Sequence, residues 1–139
     1  MQMNRRTFLL GTGLAGAAGA NDRIRVAVVG LRGRGRDHIE EFGRNPGSSV
    51  AAVCDIDTAQ IERAVQLTEN VQGRRPKTYQ DIRRLLDDKE IDAVSIATCN
   101  HWHALATIWA CQAGKDVYVE KPASHNLWEG RRMVEAARK

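Results

Sequence analysis

Three glycines within six residues, Gly30-Leu31-Arg32-Gly33-Arg34-Gly35, and a carboxylate twenty positions later, Asp55, are the residues whose types and spacing could do chemistry. Gly30 permits a tight turn after an apolar run. Gly35 lets a following helix lie close to that run, and the free amides where the helix begins can hold a pyrophosphate. The middle glycine of the usual G-x-G-x-x-G spacing falls on Arg32, with Gly33 one place later. Arg32 can itself pair with phosphate. A carboxylate at the Asp55 position accepts hydrogen bonds from the adenosine ribose hydroxyls and repels a 2′-phosphate, which favours NAD over NADP. Turn and acid together predict a dinucleotide site built from Gly30, Arg32, Gly33, Arg34, Gly35 and Asp55.

Other chemistry-bearing residues give weaker signals. Cys99, His101 and His103 are close in sequence, but no second ligand cluster completes a tetrahedral set, so no metal site is expected. The three cysteines are an odd number without CxxC spacing, which gives a disulfide framework little support. Cys54 and Cys111 fall on apolar faces and read as core thiols. Arg74, Arg75 and Lys77 read as a solvated basic loop. Trp109 and Trp128 read as packing residues on helices, and Trp102 as a loop residue.

The elements that must position the turn and the acid alternate between short apolar runs and helical periodicity. Strands are predicted at Ile24–Val29, Val50–Cys54, Ile91–Thr98 and Val117–Glu120, with a short one at Thr78-Tyr79. Helices are predicted over Asp37–Phe42, from Asp57 or Thr58 through Leu67, over Tyr79–Asp88, from His101 to Ala113, and from Asn126 to Lys139. Gly114 suits the left-handed residue that ends a helix. Asn126 with Glu129 resembles a capping box. Apolar strands alternating with helices indicate a doubly wound parallel sheet of Rossmann-like α/β type. Ligands in such sheets bind beyond the carboxyl ends of the strands, where every candidate residue lies.

Two further segments, Thr98-Cys99-Asn100-His101-Trp102-His103 and Ala113-Gly114-Lys115-Asp116-Val117-Tyr118-Val119-Glu120-Lys121-Pro122, resemble the Gfo/Idh/MocA family of oxidoreductases. The resemblance runs from about Ile24 to Lys139. It implies a nucleotide-binding domain followed by a larger substrate-binding sheet domain, and a sugar or polyol as substrate. It implies that Lys121 lies beside the nicotinamide and is catalytic, handling the substrate hydroxyl while hydride passes to or from the cofactor. It places Glu120 at the nicotinamide end, and Asn100 and His103 in the loop under the nicotinamide ribose. Cys99 stands where relatives usually carry proline, and Pro122 is a candidate for a cis peptide bond. One branch of the family hydrolyses glycosides with NAD as a recycled redox catalyst. That chemistry, and a non-catalytic nucleotide-binding fragment, stay open as alternatives.

The chain has 139 residues, enough for one domain, and 42% hydrophobic with 27% charged residues excludes intrinsic disorder. Asn4-Arg5-Arg6-Thr7-Phe8-Leu9-Leu10 opens a Gly/Ala-rich stretch ending Ala18-Gly19-Ala20, which resembles a twin-arginine leader. The expected division is a leader over residues 1–20 and a nucleotide-binding domain over 21–139, with recognition by export machinery and a periplasmic or otherwise exported destination. A cytoplasmic location follows if the leader is not recognised. Without residues 1–20 the balance is 19 basic against 17 acidic residues, no footprint for nucleic acid. No apolar run reaches the roughly 20 residues of a membrane span, so no stable membrane anchor is expected. The pattern reaches Lys139 on a helix, before a last strand and a second domain. Incomplete substrate machinery and an open sheet edge prone to homo-oligomerisation are therefore expected.

Overall fold

A computed structural model describes residues 23–139, so the leader reading of residues 1–20 lies outside the described residues. Five strands, β1 (Ile24–Val29), β2 (Ser48–Cys54), β3 (Lys77–Tyr79), β4 (Ala93–Ile96) and β5 (Asp116–Val119), form one sheet in the order β3-β2-β1-β4-β5. Every pairing is parallel. Five helices connect or follow them: α1 (Arg34–Arg44), α2 (Thr58–Gln72), α3 (Ile82–Leu86), α4 (Asn100–Gln112) and α5 (Leu127–Ala137). The doubly wound parallel sheet expected from the sequence is present.

The strands can be apolar on both sides because each face is covered. Val28, Val50 and Val53 meet Leu31, Ile39, Ile61, Ala64 and Val65 on the side of α1 and α2. Ala27, Val29, Ala52, Cys54, Val94 and Ile96 meet Leu85, Leu86, Ala106 and Ala110 on the side of α3 and α4. Burial pushes the Cys54 thiol up to about 12, as suits an inert core residue. The β1–β4 seam is also held by Arg25, which donates to Asp92 from its amide and its guanidinium at 2.8–3.0 Å.

Several boundaries differ from the sequence reading. The first helix is longer than Asp37–Phe42 and contains Gly43, whose missing side chain leaves room for Val71. The third shrinks to Ile82–Leu86 because Asp81 caps it late and its chain turns at Asp87. The strand predicted over Ile91–Thr98 is Ala93–Ile96. The helix predicted from His101 begins at Asn100, so Trp102 is helical rather than a loop residue. Cys111 is only partly buried. The local stop and start signals hold. Asp57 caps α2 by accepting from the Ala59 amide, Asn126 caps α5 by accepting from Glu129, and Gly114 has a φ of 71°.

Candidate functional site

The carboxyl ends of the strands converge where the strand order reverses, between β1 and β4. Gly30 ends β1 with a φ of 84° and donates its amide to the Cys54 carbonyl of β2. A side chain at Gly30 would lie 2.7 Å from the backbone of Ala97 and Thr98, so the turn lies directly against the end of β4. A side chain at Gly35 would collide with the Gly30 carbonyl, which is why α1 can start so close to β1. Gly33 precedes α1 with a φ of 41° and open space around it. Among the described residues, the amides of Arg32 and Gly33 take no protein acceptor. The turn therefore has the free donors and the close backbone approach that a pyrophosphate requires.

Asp55 follows β2, and its two carboxylate oxygens accept from the Leu31 amide at 2.9 Å and the Asp57 amide at 3.0 Å. The acid is thus tied to the glycine turn itself. Turn and acid border a cleft of about 960 Å³ that runs past Ile56, Gln80, Thr98 and Trp102. Arg32 reaches across this rim to Asp57 at 2.7 Å. The loop cations are engaged elsewhere: Arg75 with Glu69, and Lys77 with Asp88 and Glu90.

The second half of the site follows β4 and β5. Glu120 donates its amide to the Ile96 carbonyl, which carries the β5 chain alongside β4. Its side chain is buried and accepts from Arg34 Nε at 3.0 Å, and its Oε1 lies 2.9 Å from His38 Nε2. Hydrogen bonds from His38 and Arg34 hold the Glu120 carboxyl down at about 2. Arg34 is shared between Glu120 and Asp37, so its guanidinium joins the glycine turn to the end of β5. Lys121 is exposed and is not the ion-pair partner of Glu120; only its amide reaches that carboxylate, at 3.2 Å. The Lys121–Pro122 peptide is cis.

Asn100 and His103 lie in the first turn of α4 rather than in an open loop. Asn100 stands half-buried at the helix start. His103 is buried, with Nδ1 2.7 Å from the Pro122 carbonyl and Nε2 2.9 Å from the Thr98 carbonyl. Both partners only accept, so a neutral ring satisfies one at a time and an imidazolium satisfies both. His103 clasps the chain after β4 to the turn after β5. The structure thus brings Gly30, Arg32 and Asp55 to one end of the cleft, while Gly33 and Gly35 shape the turn behind them and Arg34 turns away to Asp37 and Glu120. It gathers Glu120, Lys121, Asn100 and His103 beyond β4 and β5. Sequence reasoning missed His38 and Ser95, which sit under Glu120. The available signal was a serine within the apolar run of β4 and a histidine beside Ile39 on the buried side of α1.

The chain belongs to the Gfo/Idh/MocA oxidoreductase family: the family's NAD-binding Rossmann-fold model matches residues 24–139. It is similar to glycosyl hydrolase family 109 protein 1 of Shewanella sp. strain MR-4, at 34% identity over 118 residues, 82% of this chain and 26% of that protein. It is likewise 34% identical over 120 residues to an alpha-N-acetylgalactosaminidase of Shewanella oneidensis, covering 82% and 26% of the two chains. Among solved structures it resembles myo-inositol dehydrogenase from Lactobacillus casei in complex with NAD(H) and myo-inositol. That match has a TM-score of 0.74 and 32% identity over 82% of this chain and 33% of that one. The chain spans about a quarter of the length of the curated relatives it matches.

Proposed function

We propose that this chain supplies the NAD-binding domain of an oxidoreductase acting on a sugar or polyol, with Asp55 holding the adenosine ribose and Lys121 beside the reacting carbon. The carrying observation is the Asp55 carboxylate bonded to the Leu31 amide of the glycine turn, at the rim of the cleft. A carboxylate there favours ribose hydroxyls and disfavours a 2′-phosphate, hence NAD before NADP. A bound nicotinamide would supply the hydride acceptor or donor. The chain's own residues would orient it: the free Arg32 and Gly33 amides would hold the pyrophosphate, and Asn100, His103 and Glu120 would border the nicotinamide end. In this reading the exposed Lys121 ammonium polarises the substrate hydroxyl whose carbon gains or loses hydride.

The likeness to family 109 glycosyl hydrolases favours a second reading, in which the same hydride step is transient and the net reaction is glycoside hydrolysis. Net release of NADH from the complete enzyme supports the dehydrogenase; hydrolysis without net reduction supports the glycosidase. Titration of the purified chain with NADH, followed by nucleotide fluorescence, tests the cofactor assignment common to both. Saturable binding is expected. A folded chain by circular dichroism that does not bind would overturn it.

We also propose that Arg5 and Arg6 direct export of the folded protein by a twin-arginine route. Replacing both with lysine should leave the protein in the cytoplasm, and unaltered export would refute the assignment.

A further inference from the structure

We infer that His38 and Ser95 form a buried positioning pair for the nicotinamide end of the site: they hold the Glu120 carboxylate in one orientation and so set the backbone from which Lys121 projects. The inference rests on the proposed cofactor-binding function.

The pair spans two elements far apart in sequence. Ser95 lies within β4 and is wholly buried; His38 lies on the inner face of α1 and is 2% exposed. Ser95 Oγ and His38 Nδ1 are 2.8 Å apart, and the other ring nitrogen lies 2.9 Å from Glu120 Oε1. The line of contacts is therefore β4 hydroxyl, α1 imidazole, β5-end carboxylate. Edge contacts with Tyr118 at 5.4 Å and Phe42 at 6.2 Å fix the ring plane.

The proton positions follow from what each partner can do. The ionised Glu120 only accepts, so Nε2 carries a hydrogen. Among the described residues Ser95 Oγ has no other side-chain partner, so its hydroxyl proton is satisfied only by donation to a bare Nδ1. A proton on Nδ1 would strand that hydroxyl hydrogen in the core. Both side chains are buried, and each is satisfied only through the line of contacts that ends on the Glu120 carboxylate. Arg34, the other partner of Glu120, has a half-exposed side chain and can move with solvent; His38 cannot. Because the Lys121 amide also meets Glu120, turning the carboxylate would turn the Lys121 backbone.

The test pairs titrations with NADH and with ADP-ribose, which lacks the nicotinamide, on the 139-residue chain and three variants. His38→Leu should weaken NADH binding about tenfold, the loss of one charge-assisted hydrogen bond, while ADP-ribose affinity stays within about twofold. His38→Gln, whose amide can donate in place of Nε2, should recover most of the NADH affinity. Ser95→Ala, which removes only the hydroxyl, should fall between. Equal loss for both nucleotides, or unchanged NADH affinity in His38→Leu, would show a merely structural role and overturn the inference. The ¹⁵N spectrum of labelled histidine at neutral pH gives an independent reading: Nε2 protonated, Nδ1 bare, and the Nδ1 signal moved by Ser95→Ala. A protonated Nδ1 overturns the pair whatever binds. If the unaltered chain bound neither nucleotide, the proposed function would fail and the positioning role with it, while this spectrum would still decide whether Ser95, His38 and Glu120 form the line of hydrogen bonds.

Discussion

Glu120 gathers three donors, from His38, Arg34 and the Lys121 amide, onto one buried carboxylate. Its pH behaviour follows. The folded-state value of about 2 lies below the roughly 4.3 of a free glutamate. Its contribution to stability is therefore complete above that unfolded value and is lost as pH falls toward 2. Glu120→Gln should be less stable than the natural chain at neutral pH, and the gap in urea midpoint should close on acidification through that window. A gap independent of pH would refute the assignment. Asp55→Ala removes the acceptor for the Leu31 and Asp57 amides and, on the proposed assignment, for ribose. NADH affinity should fall about tenfold or more, measured by the same fluorescence titration, with the far-ultraviolet spectrum retained. The placement of Asp55 against the glycine turn was legible in the sequence because it depends on a fixed distance from that turn. His38 was not, since its partners Ser95 and Glu120 are distant in the chain and no local spacing announces such a contact.

Local signals fixed the elements wherever a turn closes on itself. Asp57, Asn126 and Gly114 cap or end helices through bonds within a few residues, and each was readable from the sequence. The limits of α1, α3 and β4 were not, because they depend on neighbours. Gly43 stays helical since Val71 of α2 packs where its side chain would be, a contact no periodicity encodes. The glycine turn separates two reasons for having glycine. At Gly35 an added methyl would strike the Gly30 carbonyl, forcing α1 away from β1. At Gly33 the space is free and only the positive φ resists. Gly35→Ala should therefore cost at least the ~1–3 kcal/mol of an overpacked contact and also abolish NADH binding. Gly33→Ala should cost about 1–2 kcal/mol and weaken binding less. Chemical denaturation with parallel titration checks both; equal losses would mean that close packing of α1 is not what the turn requires.

At the scale of the whole molecule, the strand order places the turn after β1 between the ends of β2 and β4, so one ligand can lie across both halves of the sheet. This much was legible, because alternating apolar runs and helices admit few right-handed arrangements. The linking of the two halves by Arg34, from the glycine turn to Glu120, was not. A dinucleotide bridging these halves should stabilise them together. At a hundredfold excess over its Kd, NADH should add ~2.7 kcal/mol, which for a domain of this size raises Tm by ~10 °C. NADPH at the same concentration should give a smaller shift, because on the proposed assignment its 2′-phosphate would meet Asp55 and Asp57 at the cleft rim, where Arg32 is already paired. Asp55→Ala should narrow the difference between the two nucleotides by removing the charge that opposes the phosphate. Thermal scans of both proteins with both nucleotides decide the matter: a NADPH shift equal to that of NADH in the natural chain would remove Asp55 as the basis of nucleotide choice.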